Sequence, residues 1–279
     1  MKKILIGTCV PGHKFGELAK GFVEMGYEAL AVNFHMSLYG VDLSELAKVA
    51  RDTAPISALG FYCNALMYED HLETLKKCID VAEQFGTKVV STFAGALEGQ
   101  SVEAAMPRFK QVFGELARRA EDKGVKLAIE NCPMDGTWRS ATCNIGFNPR
   151  AWDMMFDAVP SPALGLEWEP THQMCQLIEP MGCLRRYADK VVHMHGKDAR
   201  IRRDILETEG VMGPRQAVLA RFPGFGDCDW REIFAILMEA GYEGAVSVEG
   251  WHDVIFGGDL EMDGQRHAMK YLKWCRGME

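Results

Sequence analysis

The chain has 279 residues, of which 48% are apolar and 25% charged, a size and composition that fit one large single-core domain and exclude fibrous or disordered classes. Its formal net charge of −8, without any long Lys/Arg run, leaves no footprint for nucleic acid, and no apolar stretch nears the ~18 residues of a membrane span. The nine cysteines are odd in number and form no C-x-x-C pair, so they read as reduced thiols of a cytoplasmic protein.

The opening MKKILIGTCVPGHK carries two lysines and an apolar run, but the run is only about seven residues and no A-x-A-like cleavage site follows. ILIGTC (4–9) therefore reads as a first strand. A helical pattern, FGELAKGFVEMG, leads to a second strand, YEALAVN (27–33). LSELAKVARD separates it from ISALGFYC (56–63), and YEDHLETLKKCIDVAEQFG separates that from KVVSTFAG (88–95). SVEAAMPRFKQVFGELARRAEDKG precedes VKLAIEN (125–131), NPRAWDMMFDAV precedes LGLEWEP (164–170), and a segment around QLIEPMGCLRRYA precedes KVVHMHGKD (190–198). The stretch 199–229 reads as irregular, with the length of a functional loop over a site. DWREIFAILMEAG then leads to the eighth strand, AVSVEG (245–250).

Gly26, Gly86, Gly124 and Gly241 stand just past the last apolar position of their helices, the usual stop before a strand. Strict alternation of strand and helix implies a parallel sheet. Eight repeats imply closure into an α/β fold of one domain, a (β/α)8 TIM barrel spanning residues 1–279. The rival, an open doubly wound sheet, finds no support in IGTCVPGHKFG, which lacks the G-x-G-x-x-G spacing.

In such barrels chemistry sits at the C-terminal ends of the strands. The fifth strand ends in Glu130-Asn131, the sixth in Glu169 with His172 three positions on, the seventh in His193-Met194-His195-Gly196-Lys197-Asp198, and the eighth in Glu249. Alternation puts His193 and His195 on one face of their strand and likewise Glu167 and Glu169 on one face of theirs, the later member of each pair nearer the rim. Glu130, Glu169, His195 and Glu249 can then point into one space, where three carboxylates would repel strongly without a cation. Oxygen ligands with a single imidazole suit Mn2+, with Co2+, Mg2+ or Zn2+ as alternatives. Glu167 and His193, deeper in their strands, fit interior hydrogen bonding or support of the ligands. His13, His35, His71, His252 and His267 read as structural, although His252 is near enough to Glu249 to meet a substrate. Met154, Met155 and Met212 read as packing.

The chain resembles the sugar phosphate isomerase/epimerase superfamily, the xylose-isomerase-like barrels that include ketose 3-epimerases and inosose-processing enzymes. The resemblance rests on LAIENCP, GLEWEPTH, VVHMHGKDAR and PGFGDCDWREIFAILMEAGYEGAVSVEGWHD, and it covers nearly the whole chain. It implies that Glu130, Glu169, His195 and Glu249 hold the metal. It also implies that Glu130 and Glu249 move a substrate proton, and that His172 binds a substrate oxygen. Two departures stand out: Glu169 replaces the usual Asp, and the last strand ends Glu-Gly-Trp-His-Asp.

The activity expected is isomerisation or epimerisation of a keto-sugar or related polyol, by proton movement next to a carbonyl. Lys197 and Arg200 join His172 as substrate-orienting candidates. Trp138, with Arg139, Trp168 and Trp251, could form an aromatic wall for a sugar ring or pack the rim. Two alternatives are the metal subunit of a C-glycoside-cleaving lyase and a non-catalytic sugar-binding barrel. A DNA-repair endonuclease would need a three-metal site with histidines on earlier strands, where this chain has Cys63-Asn64 and STFAGA. The expected partner is a small carbohydrate, with no nucleic acid and no membrane, and a homo-oligomer (dimer or tetramer) is an open possibility.

Overall fold

In the computed structural model, which describes residues 3–277, the expected apolar runs become parallel strands: β1 (Leu5–Pro11), β2 (Ala29–His35), β3 (Ile56–Tyr62), β4 (Val89–Thr92), β5 (Lys126–Glu130), β6 (Leu164–Trp168) and β7 (Val191–Gly196). A short antiparallel pair, β8 (Asp198–Ile201) and β9 (Val218–Arg221), precedes β10 (Ala245–Val248). The barrel closes in the order β1-β10-β7-β6-β5-β4-β3-β2. Met1 and Lys2 of the lysine-bearing opening lie outside the described residues, and the run after them is β1.

The helices form where apolar residues recur at helical spacing. In Val102–Lys123 the buried residues Val102, Ala105, Met106, Phe109, Val112, Phe113, Leu116, Ala117 and Ala120 make one stripe facing the barrel. Ser101 caps its start by accepting from the Ala104 N–H at 3.3 Å. Gly124 ends it at φ 65, a left-handed conformation that a side chain would strain. Among the described residues no helix is long and apolar enough to cross a membrane.

Two segments depart from the sequence reading. The stretch 199–229 is ordered rather than irregular: β8 and β9 pair from Asp198↔Arg221 to Ile201↔Val218, with a helix at Arg203–Glu209 between them. A final helix, Glu261–Cys275, covers the seam, with its polar Gln265 fully buried beside Ala268, Met269 and Leu272. Met155 is buried as expected, but Met212 is 93% exposed and packs nothing.

Beside the seam between β1 and β10, Leu5↔Ala245 to Thr8↔Val248, Glu28 latches β1 to the end of the final helix. Its Oε2 accepts from the Ile6 N–H at 2.9 Å and from Arg276 Nη1 at 2.6 Å, and its Oε1 accepts from Lys3 Nζ at 2.5 Å. Burial alone would raise the Glu28 pKa, but the hydrogen bonds from Arg276, Lys3 and Ile6 bring it down to about 2. A carboxylate depressed below its unfolded value contributes stability above that value, near 4.3, and loses it as the pH falls through the folded pKa. Glu28→Gln is therefore expected to cost about 1 kcal/mol at neutral pH, after discounting for partial solvent screening. In thermal unfolding the gap to the parent should narrow as the pH drops from 5 toward 2; a pH-independent gap would remove the ionic account.

Candidate metal centre

Four strand ends deliver the site. Glu130 is the last residue of β5, His195 lies in β7, and Glu249 directly follows β10. Glu169 follows β6 at the position just before the short helix Pro170–Cys175, without a side-chain capping bond; Pro170, with its fixed φ, starts that helix at once. The abrupt turn places His172 one helical turn on from Glu169, with Nε2 2.8 Å from Glu169 Oε1. Side-chain amides lock these ends. Asn131 donates to the Glu169 carbonyl and accepts from the Glu169 N–H, both at 2.9 Å. Asn144 donates to the Glu130 and Cys132 carbonyls at 2.8 and 2.7 Å.

One ligand atom each from Glu130, Glu169, His195 and Glu249 lie within 4.8 Å of one another. His195 Nδ1 is 3.1 Å from Glu130 Oε1, 3.5 Å from Glu169 Oε2 and 3.7 Å from Glu249 Oε2. Lys197 Nζ sits 2.8 Å from Glu249 Oε2 and 3.4 Å from Glu169 Oε1. Glu169 is fully buried, and apart from the ion-pair contacts of Oε1 with His172 and Lys197 neither carboxylate oxygen has an aligned hydrogen bond. Buried carboxylate oxygens short of donors are what a cation requires, because an unpartnered buried charge is otherwise costly. The donor set of three carboxylates and one imidazole thus fits a divalent metal.

The charges divide the acids. Burial pushes Glu169 upward, but the charges of His172 and Lys197 hold it at about 2. Glu249 also resists burial and stays well below the ordinary range, through the Lys197 charge and a hydrogen bond from His252, whose Nε2 is 3.1 Å from Oε1. Glu130 goes the other way: burial raises its pKa, the His195 hydrogen bond and charge oppose this, and the Glu249 and Glu169 charges reinforce it. Lys197 would be lowered by burial, but Glu169, Glu249 and Glu130 raise it well above the usual value.

Lys197 and His172 join the four expected ligands, while Arg200 and Trp138 do not. Arg200 is exposed on β8 and lines a groove of ≈ 740 Å³ with Met174, Leu177, Glu179 and Asp227. The Trp138 indole N–H is spent on Glu103 at 2.6 Å. Trp168 is buried in the core, so it forms no wall for a ligand; Trp251 is 41% exposed beside Glu249, at φ 48. That left-handed backbone is held by a 2.8 Å bond from the Trp251 N–H to Glu261 Oε2.

Sequence reading missed three contributors. Tyr62, at the end of β3, donates to Glu167 at 2.8 Å and lies 3.2 Å from His195. Asn144 carries no chemical signal in sequence. His35, read as structural, ends β2 edge-on to Phe93, and its pKa is lowered by burial, raised by Glu249 and lowered by His252, which sets it within the field of the site. Cys63 and Asn64 are spent locally, on Thr92 and on the Ala96 N–H. Among the described residues the only other group able to hold a metal is Glu167, His193 and His195, directly beneath the first.

Comparison with known proteins agrees with this architecture. The chain is 28% identical over 244 residues to inosose dehydratase of Clostridium beijerinckii, covering 78% of this chain and 75% of that protein. It is 31% identical over 163 residues to Uncharacterized protein YfiH of Bacillus subtilis, covering 55% of this chain and about half of that protein, 48%. A xylose isomerase domain protein from Planctomyces limnophilus superposes with TM-score 0.75 at 16% identity, over 99% of this chain and 97% of its own. An L-ribulose 3-epimerase gives 0.71 at 17%, over 98% and 96%. At such identities the structural matches speak for the fold. The family model described as xylose isomerase-like TIM barrel matches residues 20–275, and the chain belongs to that family.

Proposed function

We propose that the protein is a divalent-metal-dependent enzyme that moves a proton at the carbon next to the carbonyl of a keto-sugar or keto-polyol, as an isomerase or epimerase. The observation that carries this reading is the convergence of Glu130, His195 and Glu249 on the buried carboxylate of Glu169, which is held by ion-pair contacts and no aligned hydrogen bond. A divalent ion held by these four, Mn2+ by the donor set, would polarise the carbonyl and so acidify the neighbouring C–H. Glu249, kept ionised by Lys197 and His252, takes the proton. Glu130, whose raised pKa lets it carry a proton of its own, supplies the replacement proton from another side, since β5 and β10 are separated by β6 and β7 in the barrel. Return to the same carbon from the opposite face gives epimerisation; return to the neighbouring carbon gives isomerisation. His172 and Lys197, partly shared with Glu169 and Glu249, orient the substrate oxygens.

A second reading is favoured by the inosose dehydratase match over three quarters of both chains. After proton removal the electron pair can expel hydroxide from the next carbon, which leaves as water with a proton from Glu130 and yields an enone. The same relatives do not favour C-glycoside cleavage, and as enzymes they weigh against a mere binding barrel.

Chelator-treated protein reloaded with Mn2+ should wash solvent deuterium into a ketohexose or keto-inositol, followed by NMR, and the metal-free protein should not. Exchange without ultraviolet absorption of an enone supports epimerisation or isomerisation; growth of that absorption supports dehydration. A Mn2+-loaded protein that catalyses neither across such a panel sinks the proposal.

A further inference from the structure

The strands β6 and β7 are out of step by one residue: Leu166 pairs with Val191, but Glu167 pairs with His193, with the irregularity between Leu166 and Glu167. A bulge of this kind re-aims side chains. The extra residue, Val192, is accommodated because its neighbour is Gly165, where an added Cβ would meet the Lys190 carbonyl oxygen and a Val192 methyl at 2.7 Å. The offset sets Glu167, fully buried, beside His193 and beneath His195.

Glu167 is the opposite of Glu169. Its Oε1 accepts from the Ser91 hydroxyl at 2.6 Å and from His193 Nδ1–H at 2.5 Å, and its Oε2 accepts from the Tyr62 hydroxyl at 2.8 Å. His193 Nε2 in turn faces the hydroxyls of Ser57 and Ser247, each at 3.2 Å. With three donors already bound, Glu167 keeps about one free lone pair, which suits one further donor better than a metal, although Glu167, His193 and His195 are close enough to form a ligand set. What remains within its reach is His195 Nε2, 3.3 Å from Glu167 Oε1. The Tyr62 oxygen, having given its proton to Glu167, lies 3.2 Å from the same nitrogen. Both are acceptors and favour a hydrogen on Nε2, while Nδ1 faces the carboxylates of Glu130, Glu169 and Glu249, where a metal would take its lone pair in place of a proton.

We infer that Glu167, assisted by Tyr62, is a positioning residue that fixes the tautomer and ring orientation of His195 for a metal bound through Nδ1, an inference that rests on the metal-dependent reading above. Carboxylates that accept the second ring N–H of a ligating histidine raise its basicity, and their loss weakens metal binding roughly 10–100-fold. Ser91 and His193 hold Glu167 in place for this task, and the β6–β7 bulge makes the contact geometrically possible.

Mn2+ binding to chelator-stripped protein, measured by titration calorimetry, tests it together with the visible spectrum of the Co2+ form. The parent should bind one ion per chain. Glu167→Gln should bind roughly 10–100-fold more weakly and shift the Co2+ bands. Tyr62→Phe, which leaves the carboxylate and its other donors in place, should move both readouts in the same direction by less. Tight binding by the parent with unchanged affinity and spectrum in both variants overturns the inference alone. Two ions per chain overturns it by making the lower triad a ligand set. A parent that binds no Mn2+ sinks the functional reading itself. Should Glu167→Gln fail to fold in the metal-free state, Tyr62→Phe decides.

Discussion

Turnover is expected to fall roughly 10²–10⁴-fold when Glu130 or Glu249 is replaced by glutamine, while the circular dichroism of the barrel persists. The fold should survive because each substitution removes one of several crowded negative charges, and like charges in a buried site oppose each other. The loss should appear in kcat more than in KM, as for a group that acts on the transferred proton rather than on ground-state binding. The two variants need not be equal. Glu249 Oε2 is engaged by Lys197 at 2.8 Å and Oε1 by His252 at 3.1 Å, so Glu249→Gln also disturbs a buried ammonium. Among the described residues Glu130 has only His195 as a side-chain hydrogen-bond partner, at 3.1 Å, so Glu130→Gln disturbs fewer neighbours. Near-full activity in either variant removes that residue from the acid/base pair.

The largest stability effect is expected at Asp198, the acid that closes the His-x-His-x-Lys-Asp run. It is fully buried; Oδ1 accepts from the Ala199 N–H at 2.7 Å and the Cys228 N–H at 3.1 Å, and Oδ2 accepts from the Trp230 indole at 2.9 Å. The Pro-Gly-x-Gly-x-x-Asp-Trp segment is thereby explained as a cradle. Gly226 must be glycine because a Cβ there would meet Asp198 Oδ1 at 2.1 Å. Asp198→Ala strands three buried donors at about 1–3 kcal/mol each, for a total of at least about 3 kcal/mol. At ~2–4 °C per kcal/mol for a chain of this class, the midpoint should drop by roughly 10 °C. A change of under a degree or two in thermal unfolding, which would place the cost below about 1 kcal/mol, would show that the segment stands without its acid.

The barrel was legible because its strands are continuous apolar runs and its helices carry regular buried stripes, so the two periods are easily separated. The cluster of Glu130, Glu169, His195 and Glu249 was legible because strand ends share one rim, and acids there stand out against apolar neighbours. The hairpin of β8 and β9 was not: each strand has four residues, and β9 is only partly buried, which mutes alternation. The helix Glu261–Cys275 was missed because it lacks a side-chain cap and carries Gly264 and Gln265 on its buried face. Trp138 and Arg200 stand near the clustered acids and His195 in sequence, but the direction of a loop side chain is settled by partners such as Glu103, far away in the chain. Tyr62, Asn131 and Asn144 are neutral; their roles exist only as pairings across the barrel.

The latch at the seam sets the order in which the molecule can be completed. β1 finds its neighbour β10 only after residue 245 has left the ribosome, and Glu28 waits for Arg276, 248 positions later. Non-local pairings of this reach close late. Glu249 rides on that last-arriving strand, so the nascent polypeptide cannot assemble its full set of donors before the ring is shut. A metal held by all four donors would therefore complete its coordination only among the final events in maturation, and would not be a nucleus around which the rest gathers.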